Sequence, residues 1–166
     1  MTTTMIKTEE THNPLDLAEW VIMDRDWVFD RPADGELIAE VNGVWCNYRM
    51  WFTWQEDCGG LTLTCAIDGK LPKASVQRVH SLLAYINEKL WLGHFSLSTA
   101  DNSVCFRHSM LLRDGAHTNT EQLQDLLDIA ISECDRFYPA IQAVVWGGKS
   151  PSEAIEIALF ETIAEA

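Results

Sequence analysis

Apolar and polar side chains alternate along residues 44–55, VWCNYRMWFTWQ, the longest stretch of this chain with a period of two. This alternation predicts a β-strand with one face in the core and the other face outward. Asn42-Gly43 directly precedes the strand, and this pair favours a two-residue type I′ turn. The predicted hairpin therefore joins residues 36–41 to residues 44–55. Its register sets these pairs: Val41 with Val44, Ala39 with Cys46, and Leu37 with Tyr48.

Two tryptophans, Trp45 and Trp51, lie on the outward row of the predicted strand, with Arg49 between them. Ile38 of the preceding strand joins the same face. Exposed aromatic and arginine side chains are typical of protein-binding surfaces. Ile38, Trp45, Arg49 and Trp51 therefore form a candidate protein interface or dimer seam. The alternative is that the C-terminal helix or residues 27–34 cover this face within one monomer.

Alternation elsewhere predicts three further strands, over residues 61–68, 95–99 and 103–112. The last two form a second hairpin, and a two-residue loop at Asp101-Asn102 pairs Phe95 with His108. Residues 27–29 could begin another strand, but a proline and a glycine follow at positions 32 and 35. These two residues predict a bend or an irregular edge there.

Four segments carry apolar residues at helical spacing. The first begins at Asn13-Pro14, the second at about residue 73, and the last at Ser150. The third begins with a capping box from Thr118 to Glu121 and contains Pro139, which should kink it. The resulting order is αβββαββα with a C-terminal helix appended. It predicts an α+β fold in which helices cover one face of a five-stranded antiparallel sheet.

The chain has 166 residues, 47% of them apolar, which suits one domain with its own core. Residues 1–11 are polar and Thr-rich, so they predict a disordered lead-in, and residues 12–166 predict a single domain. The net charge of -13 disfavours nucleic acid and anionic membrane surfaces as partners. We therefore expect the partner to be another protein.

Five cysteines make an odd count, and none lies in a spacing that binds zinc. At least one thiol stays unpaired, which fits a reducing compartment. No run reaches the roughly 20 apolar residues of a membrane span, and the first residues lack the apolar core of a signal peptide. These features predict a cytoplasmic protein.

No catalytic motif and no metal or cofactor site follows from the sequence. The carboxylates are spaced as solvated helix faces, and the acidic neighbours of Cys58 make it a poor nucleophile. The predicted register points His94 and His108 to opposite faces, although a different loop length would bring them together. One cluster remains as a candidate anion or ligand site, because two arginines near a histidine could clamp an anion. Its members are His94, Arg107, Arg136 and Tyr138.

Several segments resemble the YbjN-domain family, described as bacterial sensory transduction regulators. They are NPLDLAEW from residue 13, LWLGHF from residue 90, FRHSMLLR from residue 106 and ECDRFYPAIQAVVWGGKSPSEA from residue 133. The resemblance implies a fold similar to type III secretion chaperones and commonly a homodimer. It implies no known reaction and no catalytic residue.

Three hypotheses follow. The preferred one is a non-enzymatic protein-binding module, chaperone-like or regulatory, that acts as a homodimer. The alternative is a small anionic-ligand sensor or enzyme that uses His94, Arg107, Arg136 and Tyr138. The third is a structural subunit of a larger assembly, which would keep one constant partner.

Overall fold

The structure, a computed structural model, describes residues 13–112 and 118–164. The lead-in predicted for residues 1–11 lies outside these ranges. The helices are α1 (Pro14–Asp24), α2 (Val76–Asn87), α3 (Thr120–Val145) and α4 (Pro151–Ala164). The strands are β1 (Val28–Ala33), β2 (Glu36–Asn42), β3 (Asn47–Gln55), β4 (Gly60–Ile67), β5 (His94–Leu97) and β6 (Val104–Leu111).

The sheet has six strands in the order β1-β2-β3-β4-β6-β5, and every neighbouring pair is antiparallel. The prediction of five strands was wrong, because residues 28–33 form a sixth strand; the irregular edge expected at this segment, as the alternative to a bend, is present. Pro32 is tolerated at this edge, where one side of the strand has no partner. The pairing of β1 with β2 is irregular between Asp30 and Ala33, on either side of that proline.

All four helices lie on one side of the sheet, as predicted. Helix α1 packs on β1, β2 and β3, α3 on β4 and β6, and α2 on β5, while α4 packs on α2 and α3. The sheet contributes alternate residues to this core: Leu37, Ala39, Val41, Tyr48, Met50, Phe52, Leu61, Leu63, Cys65, Ile67, Phe95, Val104 and Phe106. The opposite side is called the open face below. It carries the intervening residues, among them Asp30, Glu36, Ile38, Glu40, Arg49, Trp51, Thr64, His94 and Arg107.

The register between β2 and β3 differs from the predicted one by four residues. Val41 pairs with Tyr48, and the loop contains residues 43–46 instead of two turn residues. This longer loop reaches the helical layer, where the backbone N–H of Val44 donates to the Asp135 carboxylate at 2.9 Å. A shift by an even number of residues preserves the faces. Tyr48 therefore still faces the core, as predicted.

The second hairpin also has a longer loop than predicted. Phe95 pairs with Phe106, not with His108, and residues 98–103 form the loop. Asp101 closes it by accepting hydrogen bonds from the backbone N–H and the hydroxyl of Ser103, at 3.1 and 2.7 Å. His108 stands opposite the buried Leu63, whereas His94 stands opposite Arg107, so the two histidines face opposite sides.

The predicted helix starts are mostly confirmed. The Asn13 side chain accepts from the N–H of Leu15 at 2.9 Å, and Ser150 caps α4. The capping box of α3 lies one residue later than predicted, with Asn119 and Gln122 as the reciprocal pair. Helix α3 continues through Pro139. Within residues 13–112 and 118–164, no helix has the length and apolarity that crossing a membrane requires.

Candidate functional site

A continuous row of side chains crosses the open face from β2 to β5. Direct strand pairing places these residues side by side: Ile38, Trp51, Thr64, Arg107 and His94. Trp51 and Ile38 are half-buried, while Arg107 and His94 are exposed. Two segments, the C-terminal helix and residues 27–34, could have covered this face. Neither lies over the row, since α4 packs on helices and residues 28–33 form β1 beside β2. No described helix therefore shields the row from solvent.

The arginines of the open face lack ion-pair partners. Arg49 lies with its guanidinium carbon 6.0 Å from the centre of the Trp51 ring. Within the described ranges, neither Arg49 nor Arg107 has a carboxylate within 4.0 Å. By contrast, Arg25 contacts Asp128 at 2.6 Å on the helical side. The guanidinium groups of the open face are thus available to a partner.

A cleft of about 300 Å³ borders the open face next to Trp51. Its walls mix cations, Arg49 and Lys70, with carboxylates that include Glu40 and Asp101. Hydrogen bonding from the Ser103 side chain, and then from Ser98, lowers the pKa of Asp101 below its usual value. Because carboxylates stand beside both cations, the cleft is not selective for an anion.

Trp45 does not belong to the open face, which corrects the predicted interface. It lies in the β2–β3 loop, and its indole Nε1 donates to the carbonyl oxygen of Asp135 at 3.0 Å. Its ring stacks on Tyr138, with centroids 6.3 Å apart and planes inclined by 7°. The longer loop is the cause, because it removes Trp45 from the strand. Ile38, Arg49 and Trp51 remain together.

Asp135 is the centre of this loop attachment. Its carboxylate accepts hydrogen bonds from the hydroxyl of Tyr48 and from the N–H of Val44. Burial, and then the hydrogen bond to Asp135, raises the pKa of Tyr48 far above its usual value. Tyr48 therefore stays protonated, and the cluster acts as a structural tie between β3 and α3.

The predicted cluster of His94, Arg107, Arg136 and Tyr138 is divided by the sheet. His94 and Arg107 are direct neighbours on the open face. Arg136 and Tyr138 belong to α3, on the core side, where Arg136 lies 4.8 Å from the centre of the Phe137 ring. The Phe137 ring in turn meets Phe95, which faces the core, at 5.9 Å. The four side chains therefore cannot clamp one anion.

Arg136 is engaged within α3 itself. It contacts Glu133 at 3.5 Å, one turn earlier. Burial raises the pKa of Glu133, although the charge of Arg136 opposes this shift. A guanidinium held by a half-buried carboxylate of its own helix is a packing element rather than a ligand site.

The buried thiols and the described histidines were the remaining candidates for a metal centre. Over the described part of the chain, no three His, Cys, Asp or Glu side chains are grouped so that they could hold a metal ion. Cys65 and Cys134 have their sulfur atoms 3.8 Å apart in the core, and the hydrogen bond with Cys65 and burial raise the pKa of Cys134. Burial also lowers the pKa of His108. The shifted pKa values favour the neutral forms of Cys134 and His108.

Asn87 has a role that the sequence gave no reason to expect. Its side chain donates to the carbonyl oxygen of Phe95 at 3.0 Å and accepts from the N–H of Phe95 at 2.7 Å. The amide thereby imitates a neighbouring strand at the free edge of β5. Only the folded arrangement brings the end of α2 to this edge, so no local sequence signal marks it.

Solved structures that match this chain include two crystal structures. The crystal structure of YbjN from E. coli, titled a "putative transcription regulator", aligns with a TM-score of 0.52 and 11% identity, covering 73% of this chain and 85% of that one. The crystal structure of the ExsC–ExsE complex contains a chain that aligns with a TM-score of 0.47 and 20% identity, covering 74% of this chain and 90% of that one.

Comparison with curated protein sequences gives no significant match. A family model does match, over residues 14–143, and its description is "Putative bacterial sensory transduction regulator". This range includes every strand of the sheet and the first three helices except the last residues of α3. The chain therefore belongs to the YbjN family.

Proposed function

We propose that this protein is a non-enzymatic, cytoplasmic binding module with a regulatory role, and that it binds protein through the open face. The observation that carries the proposal is the uncovered row around Trp51, flanked by the unpaired arginines Arg49 and Arg107. A half-buried tryptophan beside free guanidinium groups has the composition of an interface centre. The family description, a sensory transduction regulator, supports such a role.

The edges of the sheet favour binding by the face rather than by strand addition. Asn87 occupies the backbone groups of Phe95 on the free side of β5. At the other edge, Pro32 interrupts β1, and the register is irregular beside it. A peptide strand needs a regular row of free N–H and C=O groups to pair with. Neither edge offers one, which leaves side-chain contacts on the open face.

A homodimer is part of the proposal. A self-associating module can couple binding to concentration, because the dimer forms only above its dissociation constant. The separated positions of His94–Arg107 and Arg136–Tyr138 give no support to the anionic-ligand alternative.

Site-specific photo-crosslinking in cells tests the proposed surface. A photo-reactive residue placed at Thr53, on the open face, should capture protein, whereas the same residue at Tyr85, exposed on α2, should not. Trp51→Ala should abolish the adduct at Thr53, while Trp91→Ala, at a side chain 77% exposed outside the sheet, should leave it unchanged.

Two outcomes would count against this function. Equal capture at Thr53 and Tyr85 would show that the open face is not preferred. The same heterologous protein captured in every growth condition would indicate a structural subunit instead of a regulator.

A further inference from the structure

We propose that the cleft beside Trp51 is a binding site for a small zwitterion, an α-amino acid with an apolar side chain. This inference goes beyond the proposed function, because it adds a small-molecule ligand to a surface proposed to bind protein. Its basis is a set of opposite charges that line one cleft and do not pair with one another.

The floor and one wall of the cleft are apolar. Ala66 on β4 lies at the floor, between Arg49 on β3 and Cys105 on β6 in the strand pairing, and is only 7% exposed. The half-buried ring of Trp51 forms a wall. The cleft measures about 300 Å³, at the lower end of the roughly 300–1,000 Å³ of small-molecule sites. Its size therefore suits a small ligand.

Charges of both signs stand around this floor. One lining carboxylate, that of Asp101, already accepts a hydrogen bond from the hydroxyl of Ser103 at 2.7 Å. The other lining charges are two cations and two carboxylates, all exposed: Arg49, Lys70, Glu40 and Asp68. Within residues 13–112 and 118–164, none of these four forms an ion pair within 4.0 Å. They are therefore available to a ligand.

The strand register sets a cation between two carboxylates. Glu40 pairs directly with Arg49 across β2 and β3. On the other side, Arg49 pairs with Ala66, and Asp68 follows two residues later, where its N–H donates to the carbonyl oxygen of Asn47 at 3.3 Å. An anion at Arg49 would stand close to both carboxylates, and a cation at the carboxylates would stand close to Arg49. A molecule that carries a carboxylate beside an ammonium group avoids both repulsions.

Each part of an α-amino acid has a partner in the cleft. The guanidinium of Arg49 can bind the ligand carboxylate through two parallel hydrogen bonds. The ligand ammonium group donates to Glu40 and Asp68. An apolar ligand side chain then packs on the indole of Trp51, which removes apolar surface from water. Because Arg49 and Trp51 also belong to the open face, a bound amino acid occupies groups that a protein partner would need.

An NMR titration of the full chain with three related ligands tests the site. At about pH 6.5, L-leucine carries both charges, N-acetyl-L-leucine only the carboxylate, and L-leucinamide only the ammonium group. L-Leucine should shift the amide resonances of residues 66–70, with a dissociation constant in the millimolar range, because exposed ion pairs contribute little. Each ligand with a single charge should bind about five-fold more weakly than L-leucine.

Two variants assign the charges. In Arg49→Gln, L-leucine and L-leucinamide should bind equally, because the guanidinium that distinguishes them is absent. In the double variant Glu40→Gln with Asp68→Asn, L-leucine and N-acetyl-L-leucine should bind equally for the corresponding reason. Arg78→Gln removes a cation at an exposed position on α2 and should keep both preferences for L-leucine.

Three results would overturn this inference. The first is a wild-type spectrum that does not respond to L-leucine, L-valine or L-phenylalanine at concentrations up to about 50 mM. The second is equal binding of the three leucine ligands by the wild-type chain. The third is a preference for L-leucine that persists in both variants. Protein capture at Thr53 is a separate measurement, so the proposed function stands or fails whatever the titration shows.

Discussion

The indole Nε1 of Trp45 donates to the carbonyl oxygen of Asp135 at 3.0 Å, and this carbonyl lacks the usual donor four residues later in its own helix. The residue four positions later is Pro139, which has no backbone N–H to offer. The side chain of a loop residue thus replaces the missing helical hydrogen bond. A proline inside a 26-residue helix is thus stabilised by a contact from the β2–β3 loop.

This relationship predicts that the effect of Trp45 depends on Pro139. Trp45→Phe should lower the free energy of unfolding by about 1 kcal/mol, because it keeps a ring against Tyr138 and loses only the donor. In a Pro139→Ala background, the new N–H at position 139 can bond the Asp135 carbonyl, so the loss should shrink. Urea unfolding of the four proteins of the cycle measures the coupling. An equal loss in both backgrounds would show that the indole hydrogen bond does not compensate for the proline.

The tie between Tyr48 and Asp135 predicts a loss of stability in alkali. Burial and this hydrogen bond raise the pKa of Tyr48 above the ordinary value of 10.0. Above pH 10 the unfolded chain releases the Tyr48 proton while the folded chain keeps it, so stability falls as the pH rises. Below pH 10 the contribution is fully present.

Tyr48→Phe should therefore reduce the decline in the free energy of unfolding between about pH 9 and pH 11. Urea unfolding at several values of pH measures this decline. Tyr85→Phe, at a side chain exposed on α2, is the matched control and should leave it unchanged. Parallel pH profiles for Tyr48→Phe and the wild type would contradict the structure.

Substitutions at the start of α3 can distinguish the observed N-cap residue, Asn119, from the predicted one, Thr118. Asn119 accepts from the N–H of Gln122 at 2.8 Å, so Asn119→Ala should lower the free energy of unfolding by about 1 kcal/mol. Among the described residues, the hydroxyl of Thr118 is buried without a hydrogen-bond partner. Thr118→Val keeps its shape and should cost almost nothing. If Thr118→Val lowered the free energy of thermal or urea unfolding more than Asn119→Ala did, Thr118 would be the N-cap residue.

The protection of the β5 edge by Asn87 predicts that a variant without this amide aggregates. Asn87→Ala removes two hydrogen bonds to Phe95 and should cost about 2 kcal/mol, at about 1 kcal/mol each. It also frees the backbone groups of Phe95 for pairing with another chain. Light scattering on mild heating should show faster aggregation than for Gln77→Ala, an exposed change on the same helix. Matching aggregation rates would mean that the amide does not protect the edge.

Strand faces could be read from the sequence because side-chain direction has a strict period of two. Tyr48 faces the core, and Arg49 and Trp51 face outward, even though both predicted hairpin registers were wrong. The errors were four residues in one hairpin and two in the other. Each is an even number, so each strand kept its orientation.

The registers themselves could not be read, because contacts distant in sequence decide them. Asn42-Gly43 favours a tight turn, but the hydrogen bonds of Val44 and Trp45 to Asp135, about 90 residues later, hold the loop open. The same cause moved Trp45 from the predicted interface to the helical layer. The His94 cluster failed for another reason: His94 and Arg107 point to the open face, whereas Arg136 and Tyr138 belong to the helical layer on the other side of the sheet.

Helix α4 packs mainly on α2 and α3, and the matched family region ends at residue 143, before α4 begins. Within residues 151–160 of this helix, Ala154, Ile155 and Ala158 are buried. The main contacts of the sheet are therefore with the other three helices. A change in the length or sequence of that helix would alter how firmly α2 and α3 are held together, and would leave the geometry around Trp51 as it is. The C-terminal segment is therefore the part of the molecule through which stability could be adjusted with the least effect on the open face.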